Sequence, residues 1–560
     1  MQNSSDNLTI SGEESRSALA EKAPAAQLFP PPSVVWMAGA AAAIFFLCSS
    51  LRHALFQSTA WDLGIFDQVI YLISQGKPPI SSFLGFHIMG DHASWIFYIL
   101  ALFYKIYPDV HWLFAVQAVA LAVGALPVWS LANLAGLNRE KSAAMAAVYL
   151  LYPVIFNINL FDFHPEVIAL PAILWAILAA RLSQPWRFCA AVILILGCKG
   201  VLALTVAAMG LWLLLFERES LSGGKKRVRL AIPYGIAPLH ALFAIIAGTA
   251  WFLIVTQAII PGFRGTESGS IGRYAYLGNS VLEIAVNLLL KPGLVLGKIL
   301  SFDTFKYLFL LILPVIWGLS PRYLTPLVGA LPTLVLNVLS QEPFQRSLAY
   351  QYSLPIIPFL LLAVIAKEAG SSATDFVADL TDVTDRGSAT GNVRNLTDVT
   401  ERNKKEEGAK IRITNYQLPI THSQLPIPNL KYPKTVIIWS LIVFLFLGES
   451  KDFWLYLNRA DTVQASREAV SQIQPQASVL TDNRLAAHLA HRSTIKALSQ
   501  ISSEADAVNF DFVLLNLRHP WPDTKQMGDR AANYLKKSPN FKLQYEKDDV
   551  LLFQKIGKNQ

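Results

Sequence analysis

Charge is scarce in this chain. Lys, Arg, Asp and Glu make up 15% of the 560 residues and hydrophobic types 53%, where an ordinary soluble domain carries roughly 25% charged residues. That balance excludes a soluble globular protein and implies a polytopic membrane protein. Cysteine is scarcer still: Cys48, Cys189 and Cys198 all fall inside apolar runs, which argues against a disulfide framework or a thiolate metal site. No HExxH, CxxC, GxSxG or Walker-type loop occurs, so no catalytic motif identifies the chemistry by spacing. The net charge of +8, from 47 Lys+Arg against 39 Asp+Glu, is the excess expected where cytoplasmic loops carry the basic residues, and no nucleic-acid partner is needed to explain it.

Residues 1–32 are polar, mixed in charge and end in PPP, the composition of a disordered cytoplasmic tail. Nothing before Pro30 reads as a cleavable signal, so the apolar run Ser33 to Leu51 is expected to be a retained first span, of about the length a ~30 Å hydrocarbon core requires. Beyond it, residues 52–110 are rich in polar and aromatic types. The basic cluster Lys225, Lys226, Arg227 and Arg229 is expected on the cytoplasmic side. Counting back from it, Phe188 to Phe216 is long for one crossing and is interrupted at Gly197–Gly200, so two short helices with Lys199 at their outer turn are expected. Arg181–Arg187 and Asn138–Lys141 then lie inside and Asn157–Glu166 outside. On this parity 52–110 is one external loop, with Trp95 to Tyr107 as an amphipathic helix along the interface. The rival is a single tilted crossing over Phe188–Phe216, with Trp95–Tyr107 spanning the membrane.

Further on, Ile232–Ile259 goes out, Ile284–Ser301 is interfacial, Phe305–Leu319 returns, Leu324–Leu339 goes out and Leu354–Ala366 comes back. The expected membrane module is therefore 33–366. Residues 367–433 carry the tandem repeats LTDVTDR and LTDVTER, which cannot bury a core and read as a low-complexity cytoplasmic insertion. A last span at 434–449 leads to 450–560. There strand-like ASVLT and FDFVLLNL alternate with helical patterns, as in a small α/β extracytoplasmic domain. The fold class is thus an all-α polytopic membrane protein of about 11 transmembrane helices with a small C-terminal α/β domain.

On this topology the external face gathers acidic and imidazole groups: Asp62 and Asp67 in WDLGIFDQ, Asp91 and His92 in GDH, Asp162, His164 and Glu166 in FDFHPE, and with them Lys199. A carboxylate can act as general base toward a hydroxyl, and carboxylates with a histidine can hold a divalent cation, for which Asp62, Asp162 and His164 are candidates. An equally simple reading of FDFHPE is a helix start near Pro165 with Glu166 complementing the dipole. The same face carries Arg52, Arg264, Arg273, Tyr274, Tyr276, Arg346, Tyr350 and Tyr352, suited to a lipid-linked phosphate through arginine forks and tyrosine stacking, or to ordinary headgroup anchoring.

WDLGIFDQ, GDHAS, LYPVIFNINLFDFHPEVIALP, RYAYLG, LTPLVGALPTLVLNVLS before YQYSLPIIPFL, and the tail stretch ASVLTDNRLAAHLAHR together resemble the bacterial and archaeal membrane proteins grouped as domain of unknown function 2079. The resemblance runs from about Arg52 to the tail, excluding the repeats. That family is similar to the C-type glycosyltransferase superfamily, whose members use polyprenyl-phosphate sugars and carry a catalytic aspartate in the first external loop and a second acidic site in a later one. The resemblance implies Asp62, with Asp67 as alternate, for the first position and Asp162 or Glu166 for the second. It also implies a bacterial plasma-membrane location with a cytoplasmic N-terminus. One departure stands out: Gly200 and Val201 follow Lys199 where the family often has an acidic pair, which implies altered specificity or lost activity. The expected function is transfer of a sugar from a polyprenyl-phosphate donor to an acceptor at the external face. The alternatives are a transporter or lipid-translocating protein and a non-catalytic envelope scaffold.

Overall fold

The computed structural model describes residues 29–217, 238–370, 432–449 and 453–556. Most of the tail expected over 1–32, the basic cluster at Lys225–Arg229 and the repeats between Leu380 and Arg402 lie outside the described residues.

The chain is mostly helical, with a small sheet near its C-terminal end. Helix α1 (Pro32–Ala54) opens with proline in its first turn and closes with Arg52 and His53 in its last, the arrangement the helix ends favour. The stretch 55–110 then folds as α2 (Ile65–Ser74), a single turn at Met89–His92, and α3 (Ile96–Ile106). Helix α3 buries Ile96, Phe97, Leu100, Ala101 and Tyr104 while Tyr98, Ile99, Leu102 and Ile106 are exposed, the one-sided pattern expected of an amphipathic helix. Then come α4 (His111–Val123), α5 (Ala125–Leu134), α6 (Arg139–Leu150), α7 (Pro153–Leu160) and α8 (Glu166–Arg181).

The break at Lys199 is present: α9 (Pro185–Cys198) and α10 (Leu202–Phe216) are separate helices. Helix α11 (Pro238–Ile254) runs antiparallel to α10, because a Cβ on Gly210 would lie 2.7 Å from the Ala241 carbonyl and one on Gly248 2.6 Å from that of Ala203. Small residues let the two backbones approach this closely. The remaining helices are α12 (Val281–Leu290), α13 (Pro292–Ile299), α14 (Phe302–Ile312), α15 (Leu327–Leu339), α16 (Gln351–Gly370, with a 3-10 start) and α17 (Pro433–Leu447).

Among the described residues, five helical stretches are long and apolar enough to cross a membrane, or six if the bent pair Pro292–Ile299 and Phe302–Gly318 counts as one. The expectation of eleven is not met by length. Six further apolar helices, α9, α10, α15 and α17 among them, run only 10–17 residues, short of the ~20 a full crossing takes.

After α17 the chain forms α18 (Val463–Ser471), β1 (Val479–Thr481), β2 (Ile495–Ala497), β3 (Phe512–Asn516), α19 (Lys525–Lys537), β4 (Phe541–Lys547) and β5 (Val550–Lys555). The sheet order is β2-β1-β3-β5-β4, parallel on the β1 side and antiparallel from β3 to β4. Alternate strand residues serve two cores. Leu480, Val513, Leu515 and Phe553 pack with Leu535 of α19, while Val479, Phe512, Leu514 and Leu552 join the main apolar cluster of the helical body. One face of the sheet is thus covered by α19, and the other meets α18.

Candidate functional site

Three separate stretches of chain meet at one end of the helical body. The turn between α9 and α10 lies against the single turn at Met89–His92, where Gly200 N–H donates to the His92 carbonyl at 2.8 Å. Lys199 Nζ reaches across to Glu166 Oε1, at the start of α8, at 2.6 Å. Both groups are buried, so each neutralises the other where water cannot. Burial by itself would lower the Lys199 pKa, but Glu166 and Tyr352 outweigh it and hold the ammonium form.

Asp62 sits in a π-helical turn, Ala60–Gly64, that leads into α2. Such turns widen the helix by one residue and reorient a side chain. The turn is fixed at its start: Thr59 donates to Asp162 Oδ2 from its backbone N–H at 3.0 Å and its hydroxyl at 2.7 Å, and Ala60 N–H donates to Asn483 Oδ1 at 2.9 Å. Asp162 Oδ1 accepts from the buried Arg52 guanidinium. With these three donors Asp162 is occupied in holding the loop.

The remaining carboxylate, Asp62, is partly exposed and takes a different partner. His164 Nε2 lies 3.1 Å from Asp62 Oδ1, and its Nδ1 lies 3.0 Å from the Asp162 carbonyl oxygen. Burial alone would lower the His164 pKa, but the Asp62 carboxylate, with Glu166 behind it, raises it. Asp62 is thus an aimed carboxylate with one oxygen fixed by an imidazole, and Tyr352 feels the charge of both Asp62 and Glu166.

Beside this group opens a cavity of about 410 Å³. Its polar end is formed by Asp91, His92, Glu166, Lys199, Arg273, Tyr274 and Tyr352, and its walls by Val255, Ile260, Ile284, Leu288, Val335 and Leu336 among others. The Arg273 guanidinium lies over the rings of Phe344 and Tyr352, 5.5 Å from each. Burial, and then the positive charge of Lys199, push His92 down to about 4 even though Asp91 opposes this, so its ring is neutral in this end of the cavity.

A model of one protein family, described as predicted membrane protein (DUF2079), matches residues 52–377 and 415–552. The chain belongs to the DUF2079 family. No curated protein matches this DUF2079 chain. Among solved structures, it is similar to ArnT from Cupriavidus metallidurans bound to undecaprenyl phosphate, at 14% identity over 94% of this chain and 98% of that one, with a TM-score of 0.47. It is also similar to the apo state of the same protein, at 12% identity over 93% and 97%, with a TM-score of 0.47.

Several residues expected at the site of this DUF2079 protein have other engagements. Asp67, five residues beyond Asp62, accepts from Tyr104 Oη at 2.6 Å and pairs with His491 Nε2 at 2.9 Å. Arg346 donates to the Ser340 carbonyl at 2.5 Å, closing the end of α15, and Tyr274 and Tyr276 donate to the carbonyls of Leu336 and Leu339 at 3.0 and 2.8 Å. The Arg264 guanidinium covers the Phe86 ring at 4.5 Å, and Tyr350 stands edge-on to Phe161 at 4.8 Å. Thr59 and Asn483, which fix the Asp62 turn, were not among the expected residues. Asn483 lies inside the quoted tail stretch ASVLTDNRLAAHLAHR, the one signal that marked it. Among the described residues no group of three His, Cys, Asp or Glu side chains is arranged to hold a metal ion. Asp62, Asp162 and His164 do not converge on a point: one oxygen of Asp162 faces Arg52 and the other Thr59. They do not fit a divalent cation in this arrangement.

Proposed function

We propose that this protein is a membrane glycosyltransferase acting on an amphiphilic donor, a sugar carried on a polyprenyl phosphate. The observation that carries the reading is the lining and charge of the cavity: apolar walls with Lys199, Arg273 and tyrosines at the polar end, where Tyr352 feels the charge of Asp62, the partner of His164. An apolar wall takes a prenyl chain, and an arginine and a lysine at one end take its phosphate. In this reading Asp62 removes the proton of an acceptor hydroxyl, whose oxygen attacks the anomeric carbon. The bond from that carbon to the phosphate oxygen breaks and the prenyl phosphate leaves on Lys199 and Arg273. His164 orients Asp62, and Arg52 and Thr59 act one step back by locking Asp162 beneath the loop.

The same reading includes eleven crossings, a cytoplasmic N-terminus and the site on the external face of a bacterial plasma membrane. It takes 33–366 as the membrane module, 367–433 as a cytoplasmic insertion and 450–560 as the extracytoplasmic unit. The test is transfer from a defined polyprenyl-phosphate sugar by the purified full chain. Asp62→Asn is expected to lose about 10²–10⁴-fold in turnover, the usual contribution of a general base, with donor binding retained. Full turnover in that variant overturns the role of Asp62. Uptake of substrate into proteoliposomes without covalent transfer would replace this reading with transport.

A further inference from the structure

A second, smaller cleft lies where the C-terminal unit meets the end of α1. It is lined by Leu55, Phe56 and Gln57 from the first loop and by Arg459, Thr462, Asp482, Arg484 and His519 from the other side. Two guanidinium groups face this space, and each carries five N–H donors. Among the described residues Arg459 donates to Gln57 Oε1 at 3.1 Å, and Arg484 makes a 3.4 Å contact with the His519 carbonyl oxygen while lying 5.1 Å over the Trp521 ring. Among the described residues neither forms a salt bridge.

The acids close by are already engaged. Asp482 Oδ1 accepts the backbone N–H groups of Arg484 and Leu485 at 2.8 and 3.0 Å. Asp461 pairs with His519 at 2.7 Å and Arg518 at 3.2 Å. Arg52, on the first-loop side, is matched by Asp162. Asp482 acts on Arg484 through space, but among the described residues it is one acid against two half-buried guanidinium groups, an excess of positive charge that a bound anion would ordinarily neutralise. Burial, and then repulsion from Arg459, bring Arg484 down to about 10 although Asp482 opposes this.

We propose that this cleft is an oxyanion-binding site, which takes one phosphate or carboxylate group between Arg459 and Arg484. The space is about 20 Å³, little more than the ~10–15 Å³ a single water needs. It admits one or two oxygens of such a group while the rest of the ligand faces outward, and it excludes a sugar ring. Guanidinium forks bind oxygens of this kind in pairs. The site involves no residue of the cavity and does not depend on sugar transfer.

The test is thermal unfolding of the full chain in detergent, titrated with inorganic phosphate or with acetate against sodium chloride at matched ionic strength. Wild type is expected to be stabilised in a saturable manner by one of the two. Stabilisation by phosphate alone identifies a tetrahedral oxyanion, and by acetate a carboxylate. In Arg459→Gln/Arg484→Gln the apparent affinity is expected to fall at least about tenfold, as for the loss of a charge-assisted hydrogen bond. If that variant does not fold, Arg459→Gln alone, which removes one side-chain hydrogen bond, carries the same expectation. No saturable effect in wild type, or an unchanged one in the folded variant, overturns the proposal.

Discussion

Acidification should loosen the contact between the C-terminal unit and the first loop, and His488 sets the scale. Its ring stacks on His53 with centroids 3.9 Å apart and on Phe56 at the same distance. Its Nε2 is buried without a hydrogen-bond partner, so a proton added there would have no acceptor. Burial pulls His488 down from 6.5 to about 3; a bond to the His53 backbone opposes this, and the charges of Arg467 and His111 add to it. With the pKa depressed on folding, the neutral ring's contribution is whole above pH 6.5 and is lost as pH falls below that value, because the unfolded chain takes up the proton first. From pH 7 to pH 5 the loss from this one group is about 2 kcal/mol. Denaturant unfolding of the full chain in detergent at both values reads the difference, and hydrogen exchange over residues 483–492 shows where it falls. His488→Phe keeps a ring against His53 and Phe56 but cannot titrate, so its loss over the same interval should be smaller by about 2 kcal/mol. Equal losses in wild type and variant would refute the reasoning.

The neighbouring pair carries the opposite sign. Burial lowers the His491 pKa but Asp67 outweighs it, so the net shift is upward; its contribution is whole below 6.5 and fades as pH rises through the raised value. Hydrogen-exchange protection of 483–492 should accordingly fall on the alkaline side in wild type and show no such step in Asp67→Asn. Lys199→Met leaves Glu166 buried without its cation and should destabilise the chain by roughly 3–5 kcal/mol, with Lys199→Met/Glu166→Gln recovering much of it in the same unfolding assay. Gly197→Val should cost about 1–3 kcal/mol or more by overpacking, since even a Cβ there would lie 2.4 Å from the Trp95 ring; unchanged unfolding would show that Trp95 is free to move.

The break at Lys199 was legible because apolar length and basic loops constrain membrane chains strongly, and parity then placed FDFHPE and GDH at the same end as Lys199. The resemblance placed Asp62 in the first loop, and the structure brings it to His164. Helix length does not confirm the eleven crossings, since α9, α10, α15 and α17 are each 10–17 residues long. The engagements of Arg346, Tyr274 and Tyr276 were not legible, because they answer carbonyls at the end of α15, which composition does not reveal. Asp67 looked like a companion of Asp62 only because its partners are distant in sequence. Tyr104 is 37 positions away and His491 is 424, and no periodicity links residues at such separations.

The bond from Ala60 to Asn483, two residues before Asp62, joins positions 423 apart in the chain. At ~5–20 residues per second of synthesis, about 20–85 s separate the two ends of that bond. The π-helical turn is therefore made early and completed late. A chain arrested before residue 483 contains α1 to α17 but leaves the Ala60 N–H without its partner, so synthesis of the tail is the event that completes the Asp62 loop, and truncated products would lack a fully fixed site.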